Sequence, residues 1–361
     1  MRRTPALIVG GGPAGSAAAI ALLRAGLQPR LIERSEGPHE TVCGGFLGWD
    51  GLAALRRLGV DPAALGARPI SRLRLVSARR SIEVGLPRLA AGLSRKLLDE
   101  ALLSAAEAAG ARVTRGRAVR SAEPGRVRLD DGEEIEADRL IIATGKHELR
   151  GLPRPVDLSN RPVGLRTSLR PSARLAADIA ETIELHLFDG GYAGLLLQED
   201  GTANLCLSVS QARLKAAGGI EALVGELARE LPSLDARLCE GEALGWSAVA
   251  GVPYGWRARA TGDAVYRIGD QASVIASLAG DGIAIALESG LALGRSIRRG
   301  QSAPEFQRAW YRRSARPIRV AEALRRSAER RAPRAAMMSL LGFFPALAPL
   351  AARLTRIGGF D

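Results

Sequence analysis

The chain has 361 residues, enough to bury the core of two domains or of one elaborated domain, and its 47% hydrophobic and 25% charged residues fit an ordinary globular protein rather than a disordered or fibrous one. A net charge of +13 rests almost wholly on arginine, since Lys96, Lys146 and Lys215 are its only lysines; no basic block interleaved with aromatics accompanies it, so nucleic-acid binding is not expected. Cys43, Cys206 and Cys239 are too few and scattered for a disulfide framework or a zinc site, and His39, His147 and His186 lie far apart, so no metal is expected.

Met-Arg-Arg leads straight into an apolar run, which reads as a chain without a signal peptide in a reducing, cytoplasmic setting. Residues 5–10 form a buried parallel strand, Gly10 to Gly15 a glycine-rich turn, and an alanine-rich helix runs to about Ala25, closed by Gly26. Pro29 to Glu33 completes a βαβ unit. An irregular glycine-rich segment through Cys43-Gly44-Gly45-Phe46 follows, and residues 70–86 read as a hairpin turning near Arg79-Arg80. Ser94 to Ala109 is strongly helical, Arg112 to Val119 extended, and Asp130-Asp131-Gly132 a hairpin turn. Arg139 to Ala143 is another buried strand, ending in Thr144-Gly145. Longer strands at 181–188, 193–198 and 202–209 then predict an antiparallel sheet, interrupted by one helix at about 211–231. Residues 264–300 return to strand, glycine-rich loop and helix.

Each glycine of the first motif has a definite physical role. Gly10 permits the tight turn, Gly12 lets backbone approach a pyrophosphate, and Gly15 allows close helix–strand packing. The helix opening at Pro13-Ala14 points its amides and positive dipole end at phosphate. Glu33, about 20 residues on, ends the second strand where a carboxylate accepts hydrogen bonds from a ribose diol, with Arg34 beside it. A second motif decides between nicotinamide and flavin dinucleotides. Tyr266-Arg267-Ile268-Gly269-Asp270 is a strand ending in Gly-Asp, and Leu278-Ala279-Gly280-Asp281-Gly282-Ile283 opens a long helix. Asp270 can bind a ribityl or ribose hydroxyl, and the helix N-terminus can stabilise negative charge on the flavin N1–C2 oxygen edge.

Taken together, the two motifs resemble the two-part FAD site of the large family containing p-hydroxybenzoate hydroxylase and geranylgeranyl reductase. The resemblance covers roughly residues 5–300 and implies FAD as cofactor, with NAD(P)H as electron donor. It also implies that Arg95, at the helix start Leu93-Ser94-Arg95, contacts the cofactor, that the backbone of Val119 meets adenine, and that Cys43-Gly44 lies beside the isoalloxazine. Gly190-Gly191-Tyr192-Ala193-Gly194 and Asp200-Gly201-Thr202-Ala203-Asn204 are similar to the substrate-domain segment of the reductase branch. Three departures stand out. The hydroxylases' Asp-Gly is replaced by Thr144-Gly145, the proline after Gly-Asp by Ala276-Ser277, and the reductases' Tyr-x-Trp-x-Phe-Pro retains only Tyr192. The tryptophan signature of flavin halogenases is absent.

Cys43, His147 and Tyr192 are the catalytic candidates. Each has a plainer alternative as loop filler, surface histidine or core tyrosine. Lys146 is a candidate for stabilising reduced flavin or an anionic substrate, against a solvated loop lysine. Tyr254 could orient a substrate, while Trp246 and Trp256 read as core or pocket wall. From Ala335 to Ala352 no residue is charged, and arginines crowd the segment before it. This region reads as a pair of helices capping the substrate pocket, with peripheral contact to an anionic membrane as the alternative.

The resulting expectation is an α/β protein: a Rossmann-type FAD-binding domain (1–150 and 261–300, with an inserted hairpin at 70–90), an antiparallel β-sheet substrate domain (151–260) and a helical C-terminus (301–361). The expected function is FAD-dependent oxidoreduction of a small hydrophobic molecule. Hydroxylation of an aromatic or polyketide-like substrate comes first. Reduction of a carbon–carbon double bond in a lipid-like substrate is the alternative.

Overall fold

The computed structural model describes residues 3–78, 80–157 and 161–358; Arg79, at the expected hairpin turn, lies outside them. The opening apolar run forms β1 (Ala6–Val9), buried along its whole length, and Pro13 starts α1 (Pro13–Leu23), where its missing N–H leaves no helical bond unmade. β2 (Pro29–Ile32) pairs parallel with β1. β3 (Phe46–Leu47), α2 (Trp49–Arg57) and the long hairpin of β4 (Arg68–Ser77) and β5 (Arg80–Gly92) follow. Ser94 caps α3 (Arg95–Ala108) by accepting from the Leu97 N–H at 3.2 Å. After β6 (Arg112–Thr114) come the meander strands β7 (Val119–Glu123), β8 (Arg126–Leu129) and β9 (Glu134–Glu136), and then β10 (Leu140–Ile142). The extended stretch expected over Arg112 to Val119 is thus two strands of two different sheets.

The second half opens with β11 (Val163–Pro171) and α4 (Ala173–Asp178), then β12 (Thr182–Phe188), β13 (Gly191–Leu197) and β14 (Ala203–Val209). The single helix expected at 211–231 is instead two, α5 (Gln211–Ala217) and α6 (Ile220–Glu230), and a third, α7 (Pro232–Cys239), follows beyond that range. Gly218 and Gly219, at φ of +86° and +147°, break the first join, and Pro232, which cannot donate to a preceding turn, starts the third helix. β15 (Gly241–Ala243), β16 (Ser247–Val249) and β17 (Val265–Arg267) lead to α8 (Gly282–Arg298). Four further helices close the chain: α9 (Ala303–Arg313), α10 (Ala315–Ala328), α11 (Arg331–Phe343) and α12 (Leu347–Leu354).

An all-parallel sheet of order β17-β10-β1-β2-β6 forms the first layer. Alternation along its strands serves two cores. Ala6, Ile8 and Ile141 face α1, α3 and α8, whereas Leu7, Val9, Leu140 and Ile142 face the β7–β9 meander through Val127, Leu129 and Ile135. The second sheet has nine strands, in the order β15-β11-β14-β13-β12-β4-β5-β3 with β16 on β11. It is mostly antiparallel, but β4 pairs parallel with β12, from Arg72 opposite Thr182 to Val76 opposite His186. The hairpin at 70–90 therefore extends the second sheet rather than decorating the first, because its backbone edge is satisfied there. Helices α4 to α7 cover one face of this sheet, and the other face turns toward the first layer.

The two sequence motifs meet through α1 and α8. A Cβ on Gly290 would lie 2.6 Å from the Ala18 amide nitrogen, and one on Gly294 would lie 2.6 Å from the Ala21 carbonyl oxygen. The helices thus run side by side in the same direction, backbone against backbone, with their N-termini at one end of the parallel sheet. Substituting Gly290 by Leu should force them apart, costing about 1–3 kcal/mol or more of unfolding free energy in chemical denaturation. Gly225→Ala on α6, where an added Cβ meets nothing within 4 Å, should instead be neutral or stabilising by about 0.5–1 kcal/mol.

Candidate active site

At the end of β1 the three motif glycines have different surroundings. Gly10 stands at φ +106°, and a Cβ there would sit 2.6 Å from the Ala143 carbonyl oxygen; a Cβ on Gly15 would sit 1.9 Å from the Gly10 oxygen. Both positions are closed by the protein's own backbone. Gly12 is open: a Cβ would meet only the Arg95 Nη2 at 3.5 Å and the Asp99 Oδ2 at 3.8 Å. Space is therefore kept above the α1 N-terminus, with a cation facing it. Arg95 is gripped by Asp99 through bonds of 2.7 and 2.6 Å. Burial pulls the guanidinium down, but Asp99 and the nearby Cys43 outweigh it, so Arg95 is held above its ordinary value as a permanent cation.

Glu33 accepts hydrogen bonds from the Gly11 N–H at 2.6 Å and the Ser35 N–H at 2.9 Å. These bonds fix its carboxylate beside Gly11 and Gly12 in a cleft that also includes Lys96, Asp99 and Arg115. Arg34 donates to His147 Nε2 at 2.9 Å. Burial first, then the Arg34 charge, lowers the affinity of that imidazole for a proton, so it is neutral near pH 7. Arg117 donates its backbone N–H to the Glu33 carbonyl at 3.1 Å, which brings the segment leading to half-buried Val119 alongside Glu33.

Gly269 and Asp270 sit at the end of β17, directly against α1: a Cβ on Gly269 would lie 2.8 Å from the Ala14 Cβ. The Gly269 N–H donates to Ser289 Oγ of α8 at 2.8 Å. Arg154 ties this motif to the loop after β10, donating to the carbonyls of Asp270 at 3.1 Å and Lys146 at 3.0 Å while pairing with Glu148 at 2.6 Å. Gln271 adds bonds to the carbonyls of Gly145 and His147, and Thr144 Oγ1 donates to the latter at 2.7 Å. Built Cβ atoms on Gly44, Gly145 and Gly282 meet nothing within 4 Å, so all three face open space, whereas Gly280 is closed by the Phe46 ring at 2.6 Å. Ile283 is buried in the core and anchors the first turn of α8.

This arrangement fits FAD. Two parallel helix N-termini, a buried arginine and an acid on β2 serve the pyrophosphate and ribose. Gly44, Gly145 and Gly282 each face open space, which leaves room for a flat ring system close to backbone. Gly10 to Gly15, Glu33, Arg34, Arg95 and Asp270 would hold the adenine and ribityl halves, and Cys43, Gly44, Thr144, Gly145, Gly280 and Gly282 would surround the flavin.

Sequence reasoning missed the C-terminal contribution. Arg356 reaches the 279–281 loop, donating to the carbonyls of Ala279 at 3.1 Å and Gly280 at 3.3 Å and to Asp281 Oδ1 at 2.9 Å. Its guanidinium stacks over Trp49 at 4.7 Å and approaches Phe46. The Ile357 N–H binds the other Asp281 oxygen at 3.0 Å, and the Gly358 N–H binds Asp50 at 3.3 Å. Burial and the neighbouring Asp50 push the Asp281 carboxyl well up, with Arg356 pulling the other way. No local motif could announce this contact.

The three catalytic candidates do not converge on one point. Cys43 is half-buried, its carbonyl accepting from Asn204 Nδ2 at 3.0 Å, with Lys146 Nζ bound to the adjacent Val42 carbonyl at 2.7 Å. Burial, reinforced by Cys43, pushes the Cys206 thiol up to about 12, so it is a neutral wall residue. His147 is committed to Arg34 at the ribose end. Tyr192, on the inner face of the second sheet, binds Ser277 Oγ; Tyr254 binds the same oxygen at 2.6 Å and Ser208 Oγ at 3.3 Å. Burial holds the Tyr192 phenol well above its ordinary value. Leu75, Leu187, Leu278, Met337 and Met338 pack around it, so the hydroxyl chain crosses an apolar wall. Trp256 donates to the Gln271 carbonyl at 3.3 Å, and Trp246 packs on the core beneath the second sheet.

Residues 3–150 match the family described as FAD binding domain. Menaquinone reductase of Mycobacterium tuberculosis is 32% identical over 150 residues, 38% of this chain and 37% of that one. The match thus spans less than two fifths of that relative's length. Digeranylgeranylglycerophospholipid reductase 2 of Methanopyrus kandleri is 28% identical over 312 residues, 80% of this chain and 75% of that protein. In fold, the chain resembles the flavin-dependent brominase Bmp2, with a TM-score of 0.80 at 16% identity, covering 98% of this chain and 93% of that one.

The Arg356 contact predicts a measurable coupling. Arg356→Ala removes the donors held by the Ala279 and Gly280 carbonyls and by Asp281, and should cost about 1–3 kcal/mol of stability in denaturant titrations. Adding Asp281→Asn should recover part of that loss. A single variant as stable as wild type would show that the C-terminal segment is not clasped through this pair.

Proposed function

We propose, from the premise that residues 3–150 are an FAD-binding domain of the superfamily containing group A flavin monooxygenases and geranylgeranyl reductases, that this protein is an FAD-dependent oxidoreductase that reduces a carbon–carbon double bond of a hydrophobic, lipid-like substrate. When bound, FAD supplies a two-electron centre able to deliver a hydride equivalent. NAD(P)H is the proposed source of those electrons.

The observation that carries this reading is the chain Tyr192–Ser277–Tyr254–Ser208 on an otherwise apolar wall. Reducing a double bond adds a hydride to one carbon and a proton to the other. Tyr192 carries a phenolic proton, and Ser277 and Tyr254 can replace it along the hydroxyl chain. The flanking leucines and methionines exclude water and accept a greasy substrate. Curated relatives aligned over 80% or more of this chain are lipid reductases by name, which supports the same choice.

Hydroxylation, the first expectation from sequence, becomes the second reading. Activating a phenolic ring calls for a base, and the Tyr192–Ser277–Tyr254 chain is built of hydroxyl groups.

Anaerobic turnover of polyprenyl alcohols and menaquinone-type quinones with NADPH distinguishes the two. The expected product is heavier by two hydrogens, and Tyr192→Phe should lower kcat by about 100-fold or more at unchanged flavin content. Incorporation of labelled oxygen under air, with no anaerobic product, would establish hydroxylation instead.

A further inference from the structure

The large apolar side chains exposed on this protein gather at one place. Phe343 is 81% exposed and Phe344 60%, and Leu340 and Leu350 are exposed beside them on α11 and α12. Leu89, also exposed, lies on β5, the strand against which both helices pack. Among the described residues one further large hydrophobic, Leu244, is exposed, in the loop between β15 and β16. The two helices bend by 118° at Phe344 to Ala346, so Phe343, Phe344 and Pro345 form a protruding corner. No single described helix is long and apolar enough to cross a membrane.

Charge frames the corner with one sign. No acidic residue occurs from Arg330 to Gly358, and Arg330, Arg331 and Arg353 are exposed at the outer ends of the helix pair. Arg80 and Arg88 on β5 are exposed as well, Arg80 donating to Ser339 of α11 at 3.2 Å. The opposite side of α11 faces inward, where Met337, Met338 and Leu341 pack in one apolar cluster with Tyr192, Leu187 and Leu278. One helix therefore lies between the tyrosine–serine chain and the apolar corner.

We infer that the α11–α12 corner docks on an anionic bilayer, inserting Phe343 and Phe344 among the acyl chains while the surrounding arginines meet the head groups. Aromatic side chains at an apolar tip with a cationic rim match an interface that offers hydrocarbon below and negative charge above. Docking there sets α11 between the bilayer and the tyrosine–serine chain, giving a lipid-like substrate a short route that avoids water. The route, though not the docking, rests on the function proposed above.

The test uses the full-length flavin-loaded protein and sedimentation with vesicles of phosphatidylcholine alone or mixed with phosphatidylglycerol. The expected result is binding to the anionic vesicles, weaker to the neutral ones, and reduced by salt above about 0.3 M. Phe343→Ser with Phe344→Ser should lower the partition coefficient by on the order of 10–100-fold, with flavin content and melting temperature unchanged because both rings are solvent-exposed. Leu244→Ser should have no effect. Absence of binding to anionic vesicles, or binding unaltered in the double variant, overturns the inference. So does self-association of the wild type that the double variant abolishes without any vesicle binding, which would assign the corner to a second copy of the chain. No turnover is measured, so failure here leaves the proposed reaction standing, and failure of that reaction leaves docking standing.

Discussion

The close contact of α1 with α8 is the constraint on which the site depends. Two segments about 260 residues apart in the chain each end a parallel strand and open a helix, and neither alone can span a dinucleotide. Glycine at 290 and 294 against alanine at 14, 17, 18 and 21 removes the side chains that would hold the helices apart. With the axes this close, Gly269 falls against Ala14, and both helix N-termini lie toward the same end of the parallel sheet. The cost of such packing is little apolar area per residue. It is offset by the fully buried strands beneath and by Leu98, Leu102 and Ile285 alongside.

Arginine does much of the remaining positioning, which recasts the chain's large positive charge. Arg95, Arg154 and Arg356 each direct a fork of donors at carbonyl or carboxylate oxygens from a largely buried position. A lysine could supply the charge but not the planar set of donors, which is a physical reason for the near-absence of lysine at such places. A surplus that in composition suggests an external anionic partner is thus partly used inside the molecule. Of what remains outside, most is spread over the surface, and Arg80, Arg88, Arg330, Arg331 and Arg353 are the part that flanks the α11–α12 corner.

Much of the cofactor side could be read from sequence because its determinants are local. Gly10 to Gly15 and Glu33 lie within one βαβ unit, Gly269-Asp270 ends a recognisable strand, and turn chemistry marked Asp130-Asp131-Gly132. Other features escaped because they are set by distant partners. Nothing in residues 70–90 says that β4 will pair parallel with β12. Alternating apolar residues carried an expected helix through Gly218-Gly219, where two positive φ values end it. Arg356 looks like one more arginine until the fold brings it to Asp281, and Ser277 looks like a lost proline until Tyr192 and Tyr254 meet on its oxygen. His147 shows the converse: a plausible acid–base residue by position, it is held by Arg34 away from the tyrosine chain.

The central claim is that the cleft over Gly12 and the open space at Gly44, Gly145 and Gly282 hold one FAD. Extraction of the purified protein and of its Gly12→Val variant, with chromatography of the released cofactor and a melting curve for each, tests it most directly. One FAD per wild-type chain is predicted. The variant should keep a fold of similar stability, since a Cβ at position 12 meets only Arg95 and Asp99 at contact distance, but retain little or no FAD. A wild type that releases NAD or FMN instead, or a variant that keeps its FAD, would contradict the claim.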